Sequence, residues 1–264
     1  MHNKFFIVDH QFVWTGSTNI SDTGIGGYNA NLAAEIDSKA IASIYTEEFN
    51  QMYEFDLYHK EKFKLQKDQI KTKINQSTIS LFFSPQNYAM DEGVIRLIDE
   101  AEESINVTIF FLTHNELSKA LVEAKKRGVF VRVILDATAA TNGYSKHNYL
   151  RENGIPLKVE SWGGKMHMKA ATVDQKHIIM GSMNWTAAGG SKNDENTLIV
   201  RNDYKNVKLM NNFFDKLWHS IPEKFLTEDP LPESLDSEGS CFDGIDNDFD
   251  KKVDKDDFYG CFSF

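Results

Sequence analysis

The stretches HNKFFIVDHQFVWTGSTN (residues 2–19) and HMKAATVDQKHIIMGSMN (residues 167–184) align with each other without a gap. His, Lys, Asp, Gly, Ser and Asn coincide at the same six offsets. Agreement at six chemically selective positions marks an internal repeat, which bears on the whole architecture. We therefore interpret the chain as two related units, each built around one copy of the motif.

The two units differ in length. Predicted strands and helices from residue 79 onward precede the second motif, whereas one residue precedes the first motif. We therefore expect the first unit to lack the front half that the second unit has. We also expect the chain to be a fragment or a truncated gene product.

Hydrophobic patterning predicts an α/β fold. Short strands at residues 5–8, 12–14 and 32–36 precede an amphipathic helix over Lys39–Tyr53. From residue 78 strands and helices alternate up to a helix that starts near residue 204, and they include a helix over residues 91–103 and a strand over residues 157–159. The predicted parts are a partial first unit (1–60), a connector (61–77), a complete second unit (78–221) and an acidic tail (222–264).

Each motif predicts a histidine and a lysine that point into one pocket. Side chains at positions i and i+2 of a strand lie on the same face, which pairs His2 with Lys4 and His167 with Lys169. A histidine in such a pocket can act as a nucleophile or as a general acid, and the lysines can stabilise charge on a phosphoryl group.

The remaining motif residues predict supporting roles. Asp9 and Asp174 follow the lysines by five residues, and we expect their carboxylates to accept a proton from a histidine ring and fix its tautomer. The G-S-x-N turns offer hydroxyl and amide donors. The predicted phosphate-binding residues are Ser17, Asn19, Ser182 and Asn184.

The pattern H-x-K-x-x-x-x-D followed by G-S-x-N resembles the phospholipase D superfamily, whose members carry two such HKD motifs. The resemblance implies a phospholipase D-like sandwich, a mixed β-sheet flanked by helices in two pseudo-symmetric units. It also implies that one histidine attacks phosphorus while the other protonates the leaving group, without a catalytic metal. In two-motif members the first histidine usually attacks, which favours His2. Glu195 resembles the Glu that supports a histidine, and the first unit offers Asn31 near the corresponding place.

The resemblance leaves three functions open. A nuclease-like phosphodiesterase is favoured, because the second unit resembles small nuclease-like members and has no long insertion for a lipid-facing lid. A phospholipase D or transphosphatidylase acting on phospholipid headgroups is the alternative, since the same chemistry serves a lipid. A third hypothesis is an inactive fragment that acts as a binding module. Single-motif relatives dimerise to complete their site, so a homodimer is also considered.

The acidity of the chain is concentrated in its tail. Residues 222–264 contain 13 Asp and Glu against 4 Lys, so most of the formal charge of -10 lies there. The near-neutral body is not a strongly basic nucleic-acid binder, although a local basic groove within it is still a possible feature.

Cys241 and Cys261 bracket the tail and predict a disulfide, hence an extracellular or periplasmic location, the alternative being two free thiols. The sequence shows neither a transmembrane segment nor a signal-peptide pattern.

The tail sequence DGIDNDFDKKVDKDD (residues 243–257) places carboxylates at closely alternating positions, as calcium requires. It does not fit the EF-hand loop, but it resembles the calcium-binding DGxDNDxDG repeats of secreted bacterial proteins, with Lys251 in place of the second glycine. The alternative is a solvated acidic tail without an ion. The predicted ligands are Asp246, Asp248, Asp250 and Asp254.

Overall fold

The computed structural model describes residues 1–65, 71–247, 251–256 and 261. The first unit forms a three-stranded antiparallel sheet in the order β1-β2-β3, followed by one long helix. Its elements are β1 (Phe5–Val8), β2 (Phe12–Gly16), α1 (Asp22–Ile25), β3 (Ala33–Asp37) and α2 (Lys39–Tyr53).

The second unit contains an eight-stranded mixed sheet in the order β4-β5-β11-β10-β9-β6-β7-β8. The pairs β6·β7 and β7·β8 are parallel and the others are antiparallel. The central strands are buried on both faces, as their β-branched sequences favour. The strands are β4 (Lys71–Ile74), β5 (Ser77–Ser84), β6 (Ser104–Ile109), β7 (Phe130–Leu135), β8 (Leu157–Val159), β9 (Lys169–Val173), β10 (His177–Gly181) and β11 (Glu195–Arg201).

Helices flank this sheet, which confirms the predicted fold class. A π-helix (Ala89–Ile95) leads into α3. The α-helices are α3 (Arg96–Asp99), α4 (Asn115–Lys126), α5 (Ala137–Ala140), α6 (His147–Glu152), α7 (Ala187–Ser191) and α8 (Tyr204–Ser220). Within the described ranges, no helix combines the length and the apolar character that crossing a membrane requires.

Two local predictions were wrong. The helix expected to continue to residue 103 ends at Asp99, because the backbone N–H groups of residues 102–104 donate to the Asp174 carboxylate instead of continuing the helix. The predicted connector contains β4, which extends the sheet by pairing with β5.

The two units share one hydrophobic core. Tyr45 of α2 is fully buried, and its ring lies 4.9 Å from that of Phe5 and 5.3 Å from that of Phe83 in β5. Buried aromatic pairs at such separations contribute about 0.5–1.5 kcal/mol beyond their buried area. This packing fixes the small sheet against the large one and sets the relative positions of the two motifs.

The tail is attached to the second unit. Cys241 and Cys261 form the predicted disulfide. The carbonyl of Asn247 accepts hydrogen bonds from Thr138 Oγ1 at 2.9 Å and from Lys165 Nζ at 2.6 Å. The tail therefore contacts the loop that leads into the second motif.

Candidate active site

The two motifs meet at the boundary between the units. The backbone N–H of His2 donates to the carbonyl of Asp194 at 2.9 Å, and that of His167 donates to the carbonyl of Ala30 at 2.9 Å. Each histidine is thus held by the backbone of the other unit, and one chain brings both motifs together.

Each histidine ring also bonds to a side chain of the other unit. His2 Nδ1 lies 2.8 Å from Glu195 Oε2, and His167 Nδ1 lies 3.0 Å from Asn31 Oδ1. Asn31 and Glu195 occupy equivalent positions in the two units. In the strand register Gly16 pairs with Ala33 and Gly181 pairs with Thr197, and Asn31 and Glu195 each lie two residues before that paired residue. A proton on each Nδ1 leaves Nε2 as the reactive nitrogen.

The motif serines orient these partners. Ser182 Oγ donates to Glu195 Oε2 at 2.7 Å, and Ser17 Oγ donates to Asn31 Oδ1 at 2.8 Å. Both serine side chains are buried, and each hydroxyl also accepts a hydrogen bond from a backbone N–H, that of Leu32 for Ser17 and that of Asn196 for Ser182. In this structure both hydroxyl protons are donated within the protein, and the predicted contact of these hydroxyls with phosphate stays a prediction.

The two motif lysines contribute positive charge to the site. Lys4 Nζ donates to the carbonyl of His2 at 2.9 Å, and Lys169 Nζ donates to that of His167 at 2.6 Å. Burial lowers the pKa of Lys4 to about 8, against the attraction of Glu195, which raises it. Burial and the charge of Lys4 lower the pKa of Lys169. Mutual repulsion between the half-buried ammonium group of Lys4 and the buried one of Lys169 is relieved when an anion binds between them, which favours a phosphate.

The environment of His167 favours the neutral form of its ring. Burial lowers its pKa to about 2, and the nearby charges of Lys169, Lys4 and His2 add to the effect. A bound phosphodiester would offset these positive charges and raise the pKa of His167, because an opposite charge favours the protonated form.

The motif asparagines follow the two glycine turns. Asn184 is half-buried, and its Oδ1 has no hydrogen-bond partner within the described residues. Asn19 is exposed at the end of the first turn. Their predicted contact with phosphate stays a prediction.

Comparison with known proteins agrees with this geometry. The sequence matches the family described as cardiolipin synthase, PLD-like domain, over residues 1–53 and 94–218. The structure resembles Nuc from Salmonella typhimurium, a phospholipase D family member, with a TM-score of 0.53 and 30% identity over 56% of this chain and 97% of that chain.

The chain belongs to the phospholipase D-like family. Among curated relatives, it is 29% identical over 145 residues to a phospholipase D of Rickettsia conorii, covering 55% of this chain and 72% of the relative. It is 34% identical over 152 residues to a mitochondrial cardiolipin hydrolase of Canis lupus familiaris, covering 56% of this chain and 59% of the relative. It is accordingly a phospholipase D-superfamily phosphodiesterase.

The motif aspartates of this phospholipase D-like chain do not reach its histidines. Asp174 accepts backbone hydrogen bonds from Glu102, Glu103 and Ser104 at 2.7–3.2 Å, and Asp9 is exposed. At about 3.3 Å of rise per strand residue, seven residues separate each aspartate from its histidine by roughly 23 Å. The predicted tautomer-fixing role was therefore wrong, and Glu195 and Asn31 occupy that place.

The sequence interpretation missed a polar network behind His2. Asn196 Oδ1 accepts hydrogen bonds from Thr15 Oγ1 at 2.9 Å and from Tyr45 OH at 3.3 Å, while its Nδ2 donates to Asn3 Oδ1 at 3.1 Å. The equivalent of Asn196 in the first unit is Leu32, which follows from the strand register. The positions that follow Glu195 and Asn31 in the phospholipase D-like site therefore differ, with a polar Asn196 in the second unit and an apolar Leu32 in the first.

A buried charge cluster was also missed, because its lysine lies in the predicted connector. Lys62 forms ion pairs with Glu48 and, at 3.0 Å, with Asp194. All three side chains are buried. Because the carbonyl of Asp194 accepts the N–H of His2, this cluster fixes one wall of the phospholipase D-like site.

The predicted tail ligands are only partly described. Asp254 accepts hydrogen bonds from the N–H groups of Asp243 and Gly244 at 3.0 Å, and Asp246 Oδ2 accepts from the N–H of Lys251 at 3.0 Å. Asp248 and Asp250 lie outside the described residues.

Proposed function

We propose that this phosphodiesterase hydrolyses nucleic acid through a phosphohistidine on His2. The observation that carries the proposal is the crossed pair of hydrogen bonds, His2 to Glu195 and His167 to Asn31. These two hydrogen bonds place both imidazole rings in one site and give each ring a different partner, a carboxylate for His2 and an amide for His167. A carboxylate stabilises the cationic imidazole that forms when His2 bonds to phosphorus, whereas an amide leaves His167 free to exchange a proton.

The proposed reaction has two displacements. His2 Nε2 attacks phosphorus while the bond from phosphorus to the leaving oxygen breaks, and that oxygen takes the Nε2 proton of His167. Water then attacks the phosphohistidine, the phosphorus–nitrogen bond breaks, and His167 recovers a proton from the water. Lys4 and Lys169 stabilise the charge on the phosphoryl oxygens in both steps, so the scheme needs no catalytic metal.

Hydrolysis of bis(p-nitrophenyl) phosphate in EDTA tests the mechanism. We expect activity in the native chain and loss of more than about 100-fold in both His2→Ala and His167→Ala, since nucleophile and general acid are each essential. Acid-quench trapping with a labelled diester should place the label on His2. Loss only in His167→Ala, or a label on His167, would contradict the assignment.

Phospholipid is the second candidate substrate, and one cavity favours it. An apolar cavity of about 260 Å³ lies beside Asn31, the partner of His167, and includes Leu32, Met168, Met210 and Phe213 in its lining. Such a lining suits an acyl chain. Parallel assays with a labelled oligonucleotide and with phosphatidylcholine or cardiolipin vesicles distinguish the two candidates, because the favoured substrate should show the higher kcat/KM.

We also propose that the tail binds calcium through Asp246, Asp248, Asp250 and Asp254. In support, Asp246 Oδ1 has no hydrogen-bond partner within the described residues, and the disulfide closes the tail into a loop. The described residues alone contain no ready cluster of three acidic, histidine or cysteine ligands, so the proposal depends on the full set. Calorimetric titration of the oxidised protein should give heat on calcium addition that Asp246→Asn reduces; no heat would contradict it.

The disulfide supports an extracellular or periplasmic location as a proposal. Thiol titration of protein from a cell's exported and cytoplasmic fractions tests it, because only an oxidising compartment should yield protein without free thiols.

Both motifs meet within one chain, so the proposed site does not need a second copy, and sedimentation measures whether the chain dimerises.

A further inference from the structure

We propose that a groove running from the rim of the active site along residues 58–64 to Tyr88 binds single-stranded nucleic acid, an inference that rests on the proposed phosphodiesterase function. Most of the residues that form the groove lie between residues 54 and 93, the stretch that the family match leaves out. The groove is therefore a feature of this chain rather than of the matched family domain.

The groove begins next to the partner network of His2. The N–H of His59 donates to Asp194 Oδ1 at 2.8 Å and its ring lies 3.0 Å from Asp194 Oδ2, which holds this segment against the site. A cavity of about 580 Å³ here is lined by Lys60, Lys192 and Asn193, among others. Asn193 Nδ2 donates to Glu195 Oε1 at 3.1 Å, so the cavity reaches the carboxylate that holds His2.

A second cavity of about 570 Å³ shares Lys60 and continues the groove to Tyr88. Its walls include Lys64, Tyr88 and His114, together with part of α7, the short helix that follows the second motif. Two adjoining cavities with one common lysine provide room for several linked nucleotides, which a single lipid headgroup would not fill.

The exposed side chains along the groove include both lysines and aromatic rings. Lys60, Lys64 and Lys192 are exposed, and Tyr88 is 55% exposed with Lys64 Nζ lying 4.8 Å from its ring centroid. Tyr58, at 36%, is also exposed. Proteins that bind single strands combine lysines that track the phosphates with rings on which bases stack. A duplex hides its base faces, so this combination favours a single strand.

The backbone of Tyr88 supports a binding role for its ring. Its φ of 53° lies in the left-handed region, which a bulky residue rarely adopts. Such conformations cost about 1–3 kcal/mol and persist where the surrounding structure requires them, often at binding sites.

Glu61 and Asp91 also line the cavities, so the net positive charge of the groove is small and the lysines act as separate phosphate contacts.

Fluorescence anisotropy with a labelled single-stranded oligonucleotide tests the groove. We expect the double variant Lys60→Glu/Lys64→Glu to weaken binding at least about 10-fold and to reduce the log–log salt slope by about 1.4, because each phosphate contact on a single strand contributes about 0.7. Tyr88→Ala should weaken binding at least about 5-fold with little change of slope, since stacking carries no counterion release.

Lys208→Glu, on α8, is the matched control, because it makes the same charge change at an exposed lysine outside the groove. It should leave binding within about twofold. Each variant is also assayed on bis(p-nitrophenyl) phosphate, so that damage to the catalytic centre is measured separately from loss of strand binding. Inactive native protein on that substrate would contradict the proposed function, while the anisotropy data would still decide the groove.

Three outcomes would overturn the groove proposal. Groove variants that bind the oligonucleotide as well as the native chain would do so. An equal loss in Lys208→Glu would show that binding depends on overall charge. Loss of binding to anionic phosphatidylserine vesicles in the groove variants, with oligonucleotide binding intact, would identify the surface as a membrane contact.

Discussion

Replacing Glu195 by Gln tests the interaction on which the site depends. The Glu195 side chain is fully buried and accepts hydrogen bonds from His2 at 2.8 Å, from Ser182 at 2.7 Å and from Asn193 at 3.1 Å. Glutamine has nearly the same shape but lacks the charge, so the variant changes the electrostatics more than the packing.

The size of the effect follows from the type of hydrogen bond. A bond to a charged partner contributes about 1.5–3 kcal/mol, against about 0.5–1.5 kcal/mol for a neutral one. The difference of about 1–2 kcal/mol applies when His2 becomes cationic on bonding to phosphorus, and it corresponds to a fall of about 5- to 30-fold in kcat. Glu195 also raises the pKa of Lys4, so the variant should move the alkaline limb of kcat/KM to lower pH.

The assay is kcat and kcat/KM on bis(p-nitrophenyl) phosphate between pH 5 and 10, with thermal unfolding as a check on folding. Glu116→Gln, an exposed change of the same kind on α4, is the matched control and should leave both constants unaltered. A folded Glu195→Gln variant whose kcat stays within about twofold of the native value would refute the reasoning, as would an alkaline limb that does not move.

Three further predictions concern titration and stability. The kcat/KM of the native chain should fall as pH rises through about 8, where Lys4 loses its proton, and the pH–rate profile of Lys4→Arg should lack this limb because Arg stays charged. Asp174→Asn should lower the unfolding free energy by about 1–3 kcal/mol in urea titration because backbone N–H groups lose a charged acceptor, whereas Asp9→Asn should change it by less than about 0.5 kcal/mol. Burial raises the pKa of Asp136 to about 6, beside Glu160, so its contribution to stability is present below pH 4 and is lost as pH rises through 6; Asp136→Asn should flatten that part of the stability profile.

The sequence contained enough information to predict the fold class and most elements, because the motif repeat and the hydrophobic periods are local signals. The strand β8 at Leu157–Val159 and the helix α2 at Lys39–Tyr53 were predicted with their observed bounds. The burial of Lys62 in the predicted connector (61–77) could not be predicted in this way, since it depends on Glu48 and Asp194, which lie opposite Lys62 only in the folded chain. Polar sequence alone predicts an exposed connector there.

The errors within the site have one physical cause. Sequence spacing was used to pair residues of the same motif, whereas each histidine bonds to a residue of the other unit. Glu195 could be suggested by resemblance, but its contact with His2 rather than His167 depends on how the two units pack. The rise per strand residue, applied to the seven-residue spacing between His167 and Asp174, would have excluded the aspartate before the structure was known.

The unequal partners of the two histidines follow from joining the units in one chain. In a symmetric pair of identical chains, a residue that holds one histidine must also hold the other, because the contact is repeated by the twofold axis. Two units in one sequence are free of that constraint, and here the equivalent positions contain Glu195 and Asn31. The carboxylate stabilises the cationic imidazole that forms when His2 bonds to phosphorus in the proposed reaction, whereas the amide gives His167 no such stabilisation, so the partners distinguish the two rings. We therefore expect an Asn31→Asp/Glu195→Asn exchange to move the phosphoenzyme label from His2 toward His167, and a label that stays on His2 would show that the partners do not assign the roles.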